Sequence, residues 1–452
     1  MIPIVTRDEM REIDAAASDP VEVLVQRAGH AVARAALEML GGAYGRRVNV
    51  LAGPGNNGAD GRVAAERLRE RGAAVRVFDA RQLPPTLPAS DLVIDAAFGT
   101  GFRGTWSAPD VGRAPVLAVD VPTGLDADTG VARRTVLRAQ RTVTFAAAKP
   151  GHYLADGPEL VGDLTVVDIG LPVAASMFVV EASDVAGWLP SRDRTSHKWR
   201  HAVRLVAGSA GMTGAAVLAA GAAERTGAGM IVASSPGAEA VTLAARAPVE
   251  VVTREIGDVD WSAEVLSDLA RFRALVIGPG LGRQPATVEA TTRTIALAPI
   301  STVADGDALY AIAESGALAA LRDRRAATVL TPHDGEFARL TGAAPDADRV
   351  GAVRRLADST RAVVLLKGPT TLVAAPDGPT YFMVDGDARL ATAGTGDVLA
   401  GIIGALLAMG APALEAAAGG AWIHARAGAK MAPQGLVAGD VIAAIPLVLN
   451  NL

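Results

Sequence analysis

Short runs of apolar, often β-branched residues alternate along nearly the whole chain with longer segments rich in alanine. The short runs are typical of strands buried on both faces, whereas the longer segments have the periodicity of helices. Their alternation indicates parallel sheets covered by helices, and therefore an α/β protein. The predicted helices include Gly61–Arg71, Gly214–Arg225 and Asp397–Met409. The predicted strands are Val48–Ala52, Ala74–Phe78, Leu92–Ala96, Val116–Val121, Thr142–Ala146, Leu164–Asp168, Val203–Ala207, Met230–Ser234, Ala274–Ile277, Thr302–Asp305, Ala327–Leu330 and Val363–Leu366.

The number of predicted strands exceeds what one sheet usually contains, which predicts two domains. A length of 452 residues also favours more than one domain. One strand–helix series ends and another begins between residues 170 and 194, and we place the boundary near Val180. The predicted organisation is two doubly wound α/β domains, with residues 1–179 in the first and residues 180–452 in the second.

Composition excludes several classes of function. The net charge is -5 without a basic stripe, so we expect no nucleic-acid partner. The absence of cysteine excludes disulfides, cysteine-ligated zinc and a thiol nucleophile. The first residues carry acidic side chains and lack a long apolar core, which argues against a signal peptide. The longest apolar run, at 401–411, falls short of the ~20 residues of a membrane span, so we expect a cytoplasmic protein without a membrane partner.

The segment VNVLAGPGNNGADGRVAAERL predicts a strand, a glycine loop and a helix. Backbone N–H groups at such a helix start can bind an anion. Asn56, Asn57 and Asp60 add amide and carboxylate groups that can contact a sugar, a nicotinamide ring or a cation. Taken alone, the loop is equally well interpreted as a tight turn with a capping aspartate.

Two further loops place polar residues at predicted strand ends. Asp95 ends one strand in DAAFGTGFRG, while Asp120 and Thr123 follow another in VDVPTGLD. Ligands of open α/β sheets bind outside the carboxyl ends of the strands, so these loops are expected to converge. Oxygen atoms of Asn57, Asp95 and Thr123 would suit a hard cation.

In this order, GPGNNGADG, DAAFGTGFRG, VDVPTGLD and AAAKPGH resemble the NAD(P)H-hydrate epimerase family over about Met1–Leu171. The resemblance implies a Rossmann-like three-layer domain that epimerises hydrated NADH or NADPH at C6 of the nicotinamide ring. It also implies a potassium ion at Asn57, Asp95 and Thr123. The substrate contacts that it implies are Asn56, Asn57, Gly58, Ala59, Asp60, Gly99, Thr100, Gly101, Phe102, Arg103, Gly104, Thr105 and Asp120.

Epimerisation needs a proton donor and a proton acceptor near the ring. Asp120 is the first candidate and Lys149 the second, although a solvated surface amine is an equally good interpretation of Lys149. The chain departs from the family at Ala59, where glycine is usual, and the added methyl group would strain a backbone with positive φ. Thr123 replaces a common serine and keeps the hydroxyl.

The segment LATAGTGDVLAGIIGALLAMG places Gly394, Gly396 and Asp397 just before a small, apolar helix. Backbone N–H groups there can form an anion hole, and Asp397 can act as base toward a hydroxyl that attacks a terminal phosphate. An ordinary helix-capping aspartate would not require two glycines in one turn. Upstream, Lys367 follows a strand, and His333 lies at a strand-to-helix junction where capping or packing is its more usual role.

The segments GPGLG, TPHDGEF, LLKGPTT and ATAGTGDVLAGI resemble the ribokinase-like superfamily. Within it, they match the ADP/ATP-dependent NAD(P)H-hydrate dehydratase family from about Val180 onward. The resemblance implies a three-layer domain that phosphorylates the C6 hydroxyl using ADP with Mg²⁺ and then eliminates phosphate. It implies hydrate contacts at Ala215, Gly282, His333 and Asp397, and ADP contacts at Lys367, Gly368, Pro369, Thr370, Thr371 and Gly396.

The leading hypothesis is a bifunctional repair enzyme in which one half epimerises both hydrates and the other dehydrates the S form. A homo-oligomer is expected from the resemblance. The alternatives are a kinase for a vitamin precursor and a dehydratase fused to a non-catalytic dinucleotide-binding module. Departures from the family at Trp199, Arg200, His201 and Arg389 are expected to flank the nucleotide.

Overall fold

The computed structural model describes residues 1–102 and 106–452. The chain divides into two compact units, Ile2–Met177 and Phe178–Leu452. The first unit ends at Met177, two residues before residue 179, where the first domain was predicted to end. Each unit has its own sheet and its own apolar core.

The first unit contains a parallel sheet with the strand order β3-β2-β4-β5-β6-β7. Alternate residues of its central strands face two different apolar clusters. Helices α2 and α3 pack on one face, where Gly29 allows close approach because an added Cβ would lie 2.5 Å from Val63 Cβ. The elements are β1 (Ile2–Ile4), α1 (Arg7–Ala15), α2 (Val21–Leu40), β2 (Arg47–Ala52), α3 (Asn56–Glu70), β3 (Ala74–Asp79), β4 (Leu92–Ala96), β5 (Val116–Val119), β6 (Arg141–Phe145), α4 (Gly157–Val161) and β7 (Asp163–Val167).

The second unit contains a larger sheet with the order β8-β17-β16-β15-β14-β13-β12-β9-β10-β11. Strands β9 to β15 pair in parallel, whereas β15, β16 and β17 form an antiparallel meander. The strands are β8 (Met177–Val179), β9 (Ala202–Val206), β10 (Met230–Ser234), β11 (Val252–Thr253), β12 (Ala274–Ile277), β13 (Ser301–Ala304), β14 (Thr328–Leu330), β15 (Val363–Leu366), β16 (Thr371–Ala374) and β17 (Thr380–Met383). The helices are α5 (Ala182–Trp188), α6 (Thr213–Thr226), α7 (Glu239–Arg246), α8 (Ser262–Asp268), α9 (Pro285–Leu297), α10 (Asp307–Glu314), α11 (Asp334–Thr341), α12 (Arg349–Thr360), α13 (Thr395–Met409), α14 (Ala413–Ala429) and α15 (Ala438–Leu449).

Helix α13 is buried on nearly every side, between the sheet and helices α6 and α14. Its small residues permit this packing. A Cβ at Gly401 would lie 2.2 Å from the carbonyl oxygen of Ala219 on α6. In the described part of the chain, every helix is too short or too polar to cross a bilayer.

Candidate active sites

A cavity of about 500 Å³ lies in the first unit, beyond the carboxyl ends of β2, β4 and β5. Its walls come from α1, α2, the start of α3 and the loops after β4, β5 and β6. The structure therefore brings together loops that are far apart in sequence. The predicted residues that line this cavity are Asn56, Asn57, Asp60, Gly99, Thr100, Gly101, Phe102, Asp120 and Lys149. Arg103, Gly104 and Thr105, which were also predicted, lie outside the described residues.

Helix α3 begins at Asn56, five residues earlier than predicted, so the Asn56–Asp60 segment is helical rather than a loop. Gly58 and Ala59 belong to this helix and do not line the cavity. Gly58 packs against Gly53, whose carbonyl oxygen would lie 1.9 Å from an added Cβ. Ala59 donates its N–H to Gly55 (3.0 Å) and does not have positive φ, so its methyl group causes none of the expected backbone strain.

Asp120 and Lys149 form a buried ion pair at this cavity, with 2.7 Å between Oδ1 and Nζ. Lys149 Nζ also donates to Thr144 Oγ1 (2.8 Å) and to the carbonyl of Ala147 (3.1 Å). Its side chain is 1% exposed, so Lys149 is not a solvated surface amine. Burial alone would raise the pKa of Asp120, but Lys149 and the Thr100 N–H hold it below its ordinary value.

Asp120 has a φ of +68°, a left-handed conformation that is rare for a residue other than glycine. His152 supports this backbone, with Nε2 2.9 Å from the Asp120 carbonyl oxygen. Its Nδ1 accepts the Lys149 N–H (3.1 Å). These two bonds require a neutral ring with its proton on Nε2. Burial, followed by Lys149, lowers the pKa of His152 to about 4, which agrees with that state.

Asp95 and Thr123 are in direct contact, with 2.7 Å between Oδ1 and the hydroxyl. The Thr123 hydroxyl also lies 3.1 Å from the Phe98 carbonyl oxygen. In the amide orientation that satisfies both groups, the Asn57 nitrogen donates to the Val119 carbonyl oxygen (3.0 Å) and the Asn57 oxygen accepts the Gly99 N–H (3.3 Å). Asp95 is fully buried and forms no ion pair with a side chain in 1–102 or 106–452, and burial raises its pKa.

Two more carboxylates line this cavity. Asp60 is 6% exposed and belongs to α3, whereas Asp14 belongs to α1 and lies exposed at the rim. Burial raises the pKa of Asp60 to about 8, and the negative charges of Asp120 and Asp14 contribute to this rise. Burial and Asp120 also raise the pKa of Asp14. Asp14 was not predicted because it belongs to none of the motifs and lies 39 residues before Gly53, the first residue of the glycine loop.

The second unit has a cavity of about 800 Å³ between the start of α13, the loop after β15 and the start of α11. Predicted residues that line it are His333, Lys367, Gly368, Pro369, Thr371 and Gly396. Thr370 is buried and does not line it, and neither do Ala215, Gly282 or Asp397. The predicted nucleotide contacts thus share one cavity, except for Thr370.

Lys367 is held at this cavity by two acidic residues that the sequence analysis did not single out. Its Nζ lies 2.8 Å from Asp305 Oδ1 and 3.7 Å from Glu336 Oε2. Thr331 donates its hydroxyl to Asp305 (2.6 Å). Burial would lower the pKa of Lys367, but the two carboxylates outweigh it and raise the pKa. Asp305 directly follows strand β13, just as Asp120 directly follows strand β5. This position is the sequence signal that could have identified Asp305 as a site residue.

Asp397 lies in the first turn of α13 and is partly exposed. Its carboxylate accepts no hydrogen bond from the residues that the structure describes. Burial raises the pKa of Asp397 to about 7, and the negative charges of Asp305 and Asp307 add to this rise. The positive charge of Lys367 acts in the opposite direction. Asp307 accepts the Gly282 N–H (2.9 Å) and pairs with Arg283 (2.7 Å). Asp397 therefore interacts electrostatically with both the Lys367 cluster and the Gly282 loop.

His333 caps helix α11, since its Nδ1 accepts the N–H groups of Gly335 (3.0 Å) and Glu336 (3.2 Å). The same ring is exposed and lines the cavity. Capping and ligand contact are thus compatible for this residue.

The departures from the family pattern lie in two places. Arg389 turns away from the cavity, pairs with Asp387 (2.8 Å) and donates to the Met431 carbonyl (2.7 Å). Its neighbours Asp387, Ala388 and Leu390 do line the cavity.

Trp199 packs edge-on against Phe272, with 5.7 Å between ring centroids. Trp199, Arg200 and His201 are not among the residues lining the cavity.

Both units of the chain match known protein families. Residues 203–446 match the family described as NAD(P)H-hydrate dehydratase, and residues 21–88 and 79–151 match the family described as YjeF-related protein N-terminus. The bifunctional NAD(P)H-hydrate repair enzyme Nnr of Moorella thermoacetica is 36% identical, over 99% of this chain and 97% of that protein. The chain belongs to the family of bifunctional NAD(P)H-hydrate repair enzymes.

Solved structures resemble about three fifths of the chain. The ADP/ATP-dependent NAD(P)H-hydrate dehydratase from Bacillus subtilis, co-crystallised with ATP/Mg²⁺ and soaked with CoA, is 26% identical with a TM-score of 0.50 and covers 60% of this chain and 98% of its own. A ribokinase-like superfamily protein from Enterococcus faecalis is 22% identical with a TM-score of 0.54, over 62% of this chain and 98% of its own, and shows the fold alone. The predicted family, α/β fold and bifunctional enzyme class are confirmed.

Proposed function

We propose that the first unit epimerises hydrated NADH and NADPH at C6 and that the second unit dehydrates the S epimer at the expense of ADP. The observation that carries this proposal is the presence of two separate cavities. Asp120 lines the first cavity, and Gly396, the residue before Asp397 at the start of α13, lines the second. Spontaneous hydration produces both epimers, so one chain with both activities can repair the whole mixture. A cytoplasmic location and a homo-oligomeric state stay predictions.

In the second unit, Asp397 is the proposed base. It removes the proton of the C6 hydroxyl as the oxygen attacks the terminal phosphorus of ADP, and the bond from that phosphorus to the bridging oxygen breaks to release AMP. Phosphate then leaves C6, a proton is lost from C5, and the ring double bond is restored. Gly396 at the start of α13 and the Lys367 ammonium group both line the cavity, and in this proposal they stabilise the transferred phosphoryl group.

Among the described residues, no three acidic or histidine side chains lie close enough together to hold a metal ion by themselves, and Asp305 and Glu336 pair with Lys367. A magnesium ion bound with the nucleotide would therefore take most of its ligands from phosphate oxygens and water, with a single carboxylate such as that of Asp397 as a further hard oxygen donor. Such an ion supplies charge neutralisation on the phosphates when bound. The choice of ADP rests on the family resemblance, and the Bacillus subtilis relative is named for both ADP and ATP.

In the first unit, Asp120 is the proposed proton acceptor. Lys149 keeps its carboxylate ionised, and the Thr100 N–H (3.1 Å) orients the second oxygen. His152 and the left-handed backbone fix where this carboxylate lies. Both Asp120 and Lys149 line the cavity, so the pair can reach a bound ring.

The potassium site is proposed at Asn57, Asp95 and Thr123. The fit rests on the donor set, which consists of amide, carboxylate and hydroxyl oxygens near the Phe98 and Val119 carbonyls. A fully buried carboxylate without a cationic side-chain partner in the described residues also favours a bound cation. A bound ion would neutralise Asp95 and order the three loops.

The test of the proposed function uses a mixture of R and S hydrates with protein, ADP and Mg²⁺, followed by chromatography and by NADH absorbance. Consumption of both epimers at a rate above spontaneous epimerisation is the expected result. Consumption of S alone would favour a non-catalytic first unit. No consumption, with phosphorylation of a pyrimidine or thiazole alcohol, would favour a small-molecule kinase.

A further inference from the structure

The cavity of the first unit holds three carboxylates but only one cationic side chain among its described lining residues. Asp120 and Lys149 come from the ends of β5 and β6, whereas Asp14 and Asp60 come from helices α1 and α3. The single ammonium group is committed to Asp120, Thr144 and the Ala147 carbonyl. The Asp60 carboxyl group therefore has no charge partner in this part of the structure.

Of the two carboxyl groups that helices contribute, Asp60 is buried and Asp14 is exposed. Asp60 is 6% exposed, lines the cavity and accepts no hydrogen bond from residues 1–102 or 106–452. Because the carboxyl group faces the cavity, its hydrogen bonds must come from solvent or from a ligand, and a ligand that displaces the solvent has to supply them. The geometry points to a ligand atom as the missing partner of Asp60.

We infer that Asp60 is the proton donor to the departing C6 hydroxyl group in the epimerase reaction, with Asp14 as a positioning residue that keeps Asp60 protonated. The inference rests on the proposed epimerase function and assigns the acid that complements Asp120. The C6–O bond breaks as its oxygen takes the Asp60 proton and leaves as water, while the ring-nitrogen lone pair forms a C6–N1 double bond. Water then adds to the other face, its proton passes to Asp120, and the nitrogen regains its lone pair.

The electrostatic surroundings support this division of roles. Burial and the charges of Asp120 and Asp14 raise the pKa of Asp60 to about 8, so the group carries a proton at neutral pH. The titratable groups facing it are Asp14 from α1, Asp120 after β5 and Lys149 after β6, and α2 presents apolar residues. Two carboxyl groups with pKa values displaced in opposite directions are the usual arrangement for an acid and a base in one site.

The test measures R-to-S conversion by chromatography without ADP, so that dehydration does not contribute. Asp60→Asn is expected to lower kcat about 10²–10⁴-fold with little change in KM, as for loss of a general acid. Glu66→Gln, at an exposed position of the same helix, is the matched control and should keep the wild-type rate. ADP-dependent consumption of pure S hydrate by the same protein verifies folding of the second unit, and far-UV circular dichroism verifies the first.

Asp14→Asn supplies a second readout that does not depend on replacing a buried group. Wild-type epimerisation should decline as the pH rises through about 8, where Asp60 loses its proton. Removing the Asp14 charge lowers the pKa of Asp60, so this decline should move to lower pH in Asp14→Asn. Wild-type kcat in Asp60→Asn, a loss confined to KM, or an unshifted profile in Asp14→Asn would overturn the inference. A wild-type protein that does not interconvert the epimers would instead overturn the proposed function itself.

Discussion

The two cavities share an architecture but use their lysines differently. In the first unit, Lys149 lies 2.7 Å from Asp120, the proposed base itself. In the second unit, Lys367 lies 2.8 Å from Asp305, and the proposed base Asp397 accepts no hydrogen bond from the described residues. As a result, the pKa of Asp120 is below its ordinary value, whereas the pKa of Asp397 is raised to about 7.

This difference shows how one kind of sheet edge can support two kinds of base. A carboxylate paired with a buried ammonium group stays ionised over a wide pH range but is a weak base. A carboxylate without such a partner titrates near neutrality and is a stronger base toward an alcohol. In the second unit, Lys367 pairs with Asp305 rather than with the proposed base, and its partly exposed ammonium group lines the cavity where it can also contact a phosphate, as phosphoryl transfer requires.

The largest expected effect is that of Asp397→Ala on dehydration. Loss of the base should lower kcat for ADP-dependent NADH formation from S hydrate about 10²–10⁴-fold and leave epimerisation unchanged. Asp323→Ala, at an exposed position of the same unit, is the control. Normal turnover of Asp397→Ala would show that the base is another group.

The converse variant is Asp120→Asn, which retains an acceptor for Lys149 and so avoids an unpartnered buried ammonium group. Epimerisation should fall about 10²–10⁴-fold while S hydrate is still dehydrated at the wild-type rate. The exposed Asp163→Asn serves as the matched control. A rate of epimerisation equal to that of the wild type would remove Asp120 from the mechanism.

Lys367→Gln tests the role of the second lysine. Loss of one charged contact to phosphate is expected to raise KM for ADP about 10–100-fold, as for a charge-assisted hydrogen bond. Because Lys367 lowers the pKa of Asp397, the variant should also need a higher pH to ionise that base. Measurement of kcat against pH at saturating ADP separates the two effects. An unchanged KM would place the nucleotide phosphates elsewhere.

The smallest expected change in rate is the pH dependence of the two wild-type activities. Below about pH 7, dehydration should fall up to tenfold per pH unit because Asp397 must lose its proton to act as base. Epimerisation should be constant between about pH 5 and 7, since the pKa of Asp120 lies below its ordinary value of 3.8. Parallel acid limbs for the two activities would contradict the contrast between the two carboxylates.

Much of the fold could be predicted from sequence because the parallel strands are buried on both faces and therefore appear as apolar runs. Strands β4, β10, β12 and β15 have the predicted bounds. The short strands β8, β11 and β17 were missed because few residues carry their signal. The start of α3 was placed too late because glycine and asparagine have low helix propensity, whereas packing against Gly53 holds these residues in the helix.

The candidate sites were predictable only where one motif carries the chemistry. Asp120 and Asp397 each stand directly beside a strand end or a glycine turn. The partners of Lys149 and Lys367, by contrast, depend on tertiary contacts between residues 29 and 62 positions apart. Asp14 reaches the first cavity only because helix α1 lines it, and Glu336 lies near Lys367 only because helix α11 brings it there.

The most direct test of two independent sites on one chain is complementation between Asp397→Ala and Asp120→Asn. Each variant alone should fail to convert pure R hydrate to NADH with ADP and Mg²⁺ above the rate set by spontaneous epimerisation. An equimolar mixture should restore conversion, because Asp397→Ala supplies S hydrate and Asp120→Asn dehydrates it. If the mixture is no faster than Asp120→Asn alone, the assignment of the two reactions to these two carboxylates is contradicted.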